Sequence, residues 1–176
     1  MAMLAAFLAG GCALTPRKQA PAQAEPWPGK EHRLVSWGAK APPLLINVPE
    51  AYDTGRRNDQ GFEVFLFRRP PKVAPPESAS LGIYIGRNPR AIRDKTLAEP
   101  GTIAGKPVTW YGSTWQESGR TVYHAETYVE GLFALPSVWN LNVRRLTVHL
   151  FAWSTDQGQV EALIEACKSL RIDPSQ

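Results

Sequence analysis

Three polar side chains in the second half of the sequence are of types that can bind a metal ion. His124 and Glu126 stand two residues apart in TVYHAETYVE, and His149 lies in a second apolar segment, VRRLTVHLFAW. Residues two apart in a strand share one face of a sheet, so a neighbouring strand could bring His149 to His124 and Glu126. Two imidazoles and a carboxylate suit a metal such as zinc. The alternative is a solvent-facing side, because Glu130 falls on the same alternate positions.

Four aromatic side chains form a second candidate site, for a ligand or a partner. Tyr111 and Trp115 share one face of a predicted strand, and Phe151 and Trp153 share a face of another. Large amphipathic rings recur at ligand and protein interfaces because they bury much area at low entropy cost. An aromatic core beneath helices is the alternative interpretation.

Other signatures of catalysis or cofactor binding are missing from the sequence. It has no phosphate-binding glycine loop, no GxSxG, no HExxH and no CxxC. We therefore predict no cofactor and leave enzymatic activity uncertain. The net charge of +4 is modest and no nucleic-acid-binding motif accompanies it, so we expect no nucleic-acid partner.

The N-terminus carries a short apolar run, Met3 to Ala9, followed by Gly10, Gly11 and Cys12. The run is too short to span a bilayer, which takes about 20 apolar residues, and it has the length of a signal-peptide core. The pattern resembles the lipobox of bacterial lipoproteins, in which the cysteine sulfur receives a diacylglyceryl group and cleavage makes that cysteine the first residue. An ordinary N-terminus or a conventional secretory signal is the alternative.

The lipobox resemblance implies a signal peptide at 1–11 and lipidation of Cys12. It also implies attachment to the membrane of the cell envelope. In that family an aspartate after the cysteine tends to retain the protein at the inner membrane. Ala13 stands there instead, so the resemblance favours the outer membrane, facing the periplasm.

Composition divides the remaining chain into a tether at 12–31 and one folded domain at 32–172. The first part is rich in Ala, Pro and Gln, and proline favours extended backbone that holds a domain away from a surface. In the second part, apolar alternation predicts strands at 44–48, 61–68, 81–86, 107–116, 121–130 and 143–153.

Two helices are predicted among these strands. Asn88 and Pro89 resemble an N-cap and a first-turn proline, which predicts a short helix from Pro89 to about Leu97. A second helix follows a cap at Thr155 or Asp156. Val160, Leu163, Ile164 and Cys167 recur on one face of it, so we expect Cys167 to be a buried apolar residue and not a reactive thiol.

These elements predict an α+β fold, an antiparallel β-sheet flanked by helices. INVPEAY, GFEVFLFR, AGKPVTWYG and EALIEACKSLRI, in that order, resemble the PsbP/Mog1-like fold and its small bacterial lipoprotein members. The resemblance implies an α/β/α sandwich that serves in binding and assembly. We therefore expect a membrane-anchored envelope lipoprotein that binds or helps assemble another envelope component without catalysis. The alternatives are a metal-binding or hydrolytic enzyme using His124, Glu126 and His149, and a structural accessory without a ligand.

Overall fold

The computed structural model describes residues 29–37, 39, 41–59, 61–69, 79–133 and 146–175. Its elements are β1 (Gly29–Leu34), β2 (Leu44–Pro49), β3 (Asp53–Asp59), β4 (Phe62–Arg68), β5 (Ala79–Gly86), β6 (Leu97–Ile103), β7 (Lys106–Glu117), β8 (Arg120–Val129), β9 (Thr147–Ser154), α1 (Gln157–Lys168) and β10 (Arg171–Ile172). Cys12, the signal peptide and most of the tether lie outside the described residues.

The strands form two antiparallel sheets. The larger sheet has seven strands in the order β3-β4-β5-β9-β8-β7-β6, and the smaller has three in the order β1-β2-β10. Helix α1 packs against β9, β8 and β5 of the large sheet and against β2 of the small one. The α+β prediction, a mainly antiparallel sheet with helix, is confirmed at this level. α1 is the single α-helix within the described ranges.

The hydrophobic core lies between α1 and one face of the large sheet. The residues of β5 and β9 that face this core are aliphatic and fully buried, as in Leu81, Ile83 and Ile85 of β5. The helix contributes Val160, Leu163 and Cys167 to this core, as its periodicity predicts. Burial raises the pKa of the Cys167 thiol, so it stays protonated and behaves as the small apolar residue that was expected.

The opposite face of the large sheet, which we call the open face, carries mostly aromatic and polar side chains. Because side chains alternate along each strand, the register places one set together on β5, β7, β8 and β9. The open face consists of Tyr84, Tyr111, Ser113, Trp115, His124, Glu126, Tyr128, His149, Phe151 and Trp153.

Six predicted strands are confirmed, as β2, β4, β5, β7, β8 and β9, although residues 143–145 of the last lie outside the described ranges. β1, β3, β6 and β10 were missed. β3 has the sequence DTGRRND and is exposed throughout, so it lacks the apolar alternation on which strand prediction depends. β1 begins at Gly29, which shows that the strand includes residues 29–31 assigned to the tether.

The predicted helix from Pro89 to Leu97 is wrong. The segment 87–96 has no regular structure, because distant side chains take the backbone groups that a helix would use. The Tyr128 hydroxyl donates to the Arg90 carbonyl and accepts from the Ile92 amide at 3.0 Å. Asp94 accepts from the Thr96 amide at 2.9 Å, which forms a turn just before β6 begins at Leu97.

The local sequence at the β7–β8 turn and at the start of α1 agrees with the structure. The β7–β8 hairpin turns at Ser118 and Gly119, with φ of 51° and 75°, where a left-handed conformation at both positions fits a two-residue hairpin loop. Asp156 caps α1 by accepting from the Gly158 amide at 2.8 Å. Among the described residues, no helix combines the length and apolar character needed to cross a bilayer.

Candidate functional site

The candidate site lies at the centre of the open face, where β7, β8 and β9 run side by side. Glu126 stands opposite Phe151, and Tyr128 stands opposite His149, in the β8–β9 pairing. The β7–β8 pairing sets Ser113 opposite His124. Directly opposed side chains on one face are close enough to contact each other. The register therefore brings both histidines and Glu126 onto one small area.

His149, which is buried, and Glu126, which is partly buried, form a hydrogen-bonded pair. His149 is 4% exposed, and its Nε2 lies 2.8 Å from Glu126 Oε2. Burial, and then the charge of Arg90, lowers the pKa of His149 to about 4. The imidazole is therefore neutral at pH 7, and its Nε2 shares a hydrogen bond with Glu126 Oε2. Burial also raises the pKa of Glu126, against the opposing charges of His124 and Arg90.

His124 contacts a different polar partner. Its Nδ1 lies 3.3 Å from the Ser113 hydroxyl, and its ring lies 5.8 Å from that of Trp115. Burial lowers the pKa of His124, while the charge of Glu126 acts in the opposite direction. Since both imidazoles are neutral at pH 7, the site carries less charge than its residue types suggest.

The three predicted metal ligands share one area of the open face but are organised in pairs. The Glu126 carboxylate is engaged by His149, and His124 lies against Ser113. Across the described ranges, no group of three His, Cys, Asp or Glu side chains is arranged to hold a metal ion. The geometry therefore provides two hydrogen-bonded pairs, His149 with Glu126 and His124 with Ser113, rather than a set of convergent metal ligands.

Sequence reasoning missed three residues of this site: Arg90, Tyr128 and Ser113. Arg90 lies in the segment 87–96, and its charge acts on both histidines and on Glu126. Tyr128 packs edge-on against His149, with ring centroids 4.9 Å apart. The available signal was the two-residue alternation of β8, since Tyr128 continues the series of His124 and Glu126. Arg90 carried no such signal, because its place depends on a loop.

The four predicted aromatic residues all lie on the open face. Trp115 is 42% exposed, whereas Tyr111, Phe151 and Trp153 are partly buried. Trp110 points to the other side of the sheet and is buried, which confirms that it and Tyr111 face opposite ways. Phe151 and Tyr111 stand opposite Glu126 on β9 and β7, and the Phe151 ring lies 5.4 Å from that of His149. Trp153 stands opposite His124, and the Trp115 ring lies beside that of His124. The arrangement offers stacking surfaces next to neutral hydrogen-bonding groups.

No protein-family model matches this chain, and no curated protein matches its sequence at a significant level.

Proposed function

We propose that this chain is a lipid-anchored lipoprotein of the bacterial cell envelope whose domain binds another envelope component through the open face, without catalysis. The observation that carries the binding role is the grouping of four rings on the open face, with Tyr111 and Phe151 beside Glu126 and with Trp115 and Trp153 beside His124. Partly exposed rings of this kind are the usual energetic centres of interfaces.

The anchor is supported by the sequence around Cys12, which resembles a lipobox. A thioether-linked diacylglyceryl group would hold the domain at a membrane surface, because each buried methylene contributes about 0.8 kcal/mol and two chains together give stable anchoring. The residue after the cysteine, Ala13, favours the outer membrane in this proposal.

The anchor is tested by fractionating cells that express the full chain or its Cys12→Ser variant. We expect the wild type in the membrane pellet, with a mature N-terminus at an acylated Cys12 by mass spectrometry. The variant is expected to become extractable without detergent. A mature wild-type chain that keeps residues 1–11 contradicts the anchor.

The binding role is tested by detergent extraction and affinity capture of the full lipidated chain from its own membranes. A genuine partner is retained by the wild type and lost from the double variant Trp115→Ala, Trp153→Ala. Trp37→Ala is the matched control, because Trp37 is 70% exposed and lies outside the open face. A partner that stays with the double variant contradicts recognition through these rings.

A hydrolytic function is the second candidate, and the contact between the Ser113 hydroxyl and His124 Nδ1 favours it. In this candidate His124 would act as general base toward Ser113, with Glu126 nearby to stabilise the imidazolium. Hydrolysis of small p-nitrophenyl esters that disappears in Ser113→Ala, with unchanged thermal unfolding, would support it. Equal rates for both proteins would remove it.

We propose a PsbP/Mog1-like α/β/α sandwich as the competing fold assignment, in which a second helical layer would cover the open face and make its aromatic rings a core instead of a binding surface. It is supported by the order of the long antiparallel strands and the closing helix. The second helical layer of such a sandwich is not among the described residues. An experimental structure of the mature chain tests it directly.

A further inference from the structure

A second concave surface lies on the opposite side of the large sheet from the open face. It is a groove between α1 and strands β6 and β7, and we call it the helix-side groove. One half has a volume of about 220 Å³ and the other about 410 Å³. Glu99, Trp110, Glu161 and Ile164 line both halves, so the two halves are continuous.

The groove is elongated along the helix. Gln157, Glu161, Ile164, Glu165 and Lys168 of α1 line it, at spacings that form one helical stripe. The eleven residue-to-residue steps from Gln157 to Lys168 span about 16 Å at 1.5 Å per step. This length equals about five residues of extended chain at 3.3 Å each. An extended peptide therefore fits the shape better than a compact small molecule.

The charge of the groove is negative and its floor is apolar. Lys168 pairs with Glu165, and the Glu161 carboxylate accepts from Gln157 Nε2 at 3.0 Å. A net negative charge remains in the lining, on Glu99 of β6 and Glu161 of α1. Between them lie the Trp110 indole and the side chain of Leu97, which is 61% exposed. This chemistry suits a cation on an apolar stem with apolar neighbours.

An unpaired polar group points to the same place. Trp110 is 5% exposed and its Nε1 proton has no hydrogen-bond partner among the described residues. That edge of the indole lies against Gly101, where an added Cβ would stand 3.2 Å from Nε1. Gly101 and Trp110 both line the larger half of the groove. A buried donor without an acceptor is costly, and a peptide carbonyl can satisfy it.

We propose that the helix-side groove binds an extended segment of a partner protein in which a lysine or arginine stands between two apolar residues on one side. The basic side chain lies between Glu99 and Glu161, and the apolar side chains contact Leu97, Trp110 and Ile164. Pro100 lacks an amide donor, so the segment is held by side chains in the groove and not by addition to the edge strand β6. The proposal does not use the aromatic rings of the open face, although Ser113 and His124 are among the residues that line the smaller half of the groove.

The test uses the full chain and the peptide acetyl-Leu-Ser-Lys-Ser-Leu-amide, followed by the indole Nε1–H resonance of Trp110, which Trp110→Phe assigns. We expect a saturable downfield shift that weakens as salt rises, and about tenfold weaker binding in Glu161→Gln and in Glu99→Gln. Glu50→Gln is the matched control, since Glu50 is an exposed glutamate outside the groove.

Two further probes decide what is bound. The same peptide with glutamate in place of lysine is expected not to bind, and pentylamine is expected to bind at least tenfold more weakly than the peptide. Equal binding of pentylamine overturns the peptide in favour of a small amine. An unmoved Trp110 resonance at millimolar peptide, or equal affinity of all glutamate variants, overturns the site.

Discussion

At the scale of single residues, the His149 imidazole is held neutral in a buried position. Its Nε2 is hydrogen-bonded to Glu126, and burial, followed by the charge of Arg90, disfavours protonation of the ring. Its pKa is about 4 in the folded chain against 6.5 for an exposed histidine. Between these values the unfolded chain binds the proton more readily, so stability is lost as the pH falls. The raised pKa of Glu126 acts with the opposite sign and reduces the net effect.

We therefore expect the free energy of unfolding to fall by up to roughly 3 kcal/mol between pH 7 and pH 4 through His149. The measurement is urea denaturation across this range for the wild type and for His149→Gln, which cannot titrate. The variant is expected to lose less stability on acidification. An NMR titration that places the pKa of His149 near 6.5 contradicts the explanation.

A close approach of Gly82 and Phe151 gives a second prediction for a single residue. These residues face each other across β5 and β9, and a Cβ on Gly82 would stand 2.0 Å from the Phe151 ring. We expect Gly82→Ala to destabilise the protein by about 1–3 kcal/mol, because the ring must leave its position. Gly55→Ala is the control, since its nearest neighbours would be 3.8 Å away. Equal thermal unfolding of the two variants contradicts the close packing of the open face.

Part of the site could be predicted at this scale and part could not. The two-residue spacing of His124 and Glu126 was enough to place them on one face, as the β8 register confirms. Nothing in the sequence gave the partner of each group. Whether Glu126 faces His149 or His124 depends on a register and on rotamers that arise only when β8 pairs with β9.

At the scale of elements, the segment 87–96 is held across the open face by tyrosine hydroxyls from two strands. Tyr84 of β5 accepts from the Asn88 amide at 3.2 Å, and Tyr128 of β8 bonds the backbone of Arg90 and Ile92. The second contact places Arg90 beside the histidines. The position of this segment therefore controls the electrostatics of the candidate site.

We expect Tyr128→Phe to release the segment and to lower stability by about 0.5–1.5 kcal/mol. The sharper measurement is amide hydrogen exchange, which should accelerate at Ile92. The Tyr128→Phe substitution should also raise the pKa of His149, because Arg90 moves away from the ring. Tyr84→Phe serves as comparison and should affect Asn88 alone. Unchanged exchange at Ile92 in Tyr128→Phe contradicts this role for the hydroxyl.

The same contact explains why local sequence signals failed here while they held at α1. The cap and periodicity of α1 are properties of adjacent residues, and Asp156 with Val160, Leu163 and Cys167 was sufficient to predict it. Asn88 and Pro89 give an equally good local start signal. It is overridden by a tyrosine 36 residues beyond Ile92, whose effect no local window contains.

At the scale of the whole molecule, the chain builds two surfaces with different chemistry on the two sides of one sheet. The open face carries partly exposed rings and neutral histidines, and the helix-side groove carries carboxylates around an apolar floor. The α+β class followed from strand and helix periodicity. The strand order did not, because β5 pairs with β9 across 60 residues or more of intervening chain, and the small sheet depends on β1 and β10, whose polarity or shortness hides them.

The small sheet also determines how the domain would respond to a pull. Among the described residues β1 is an edge strand whose backbone pairs with β2, from Gly29 opposite Pro49 at the outer end to Leu34 opposite Leu44 at the inner end. Its Glu31 and Arg33 side chains also form ion pairs with Arg171 and Asp173. A pulling force applied through the residues before Gly29 acts on the β1–β2 backbone pairs one at a time, starting with Gly29 and Pro49. These pairs therefore separate one after another at low force. β10 pairs with the other edge of β2, and in the described residues the large sheet has no strand in common with the small sheet. We expect β1 to detach and lengthen the tether by several residues, while the open face and the helix-side groove keep their shape.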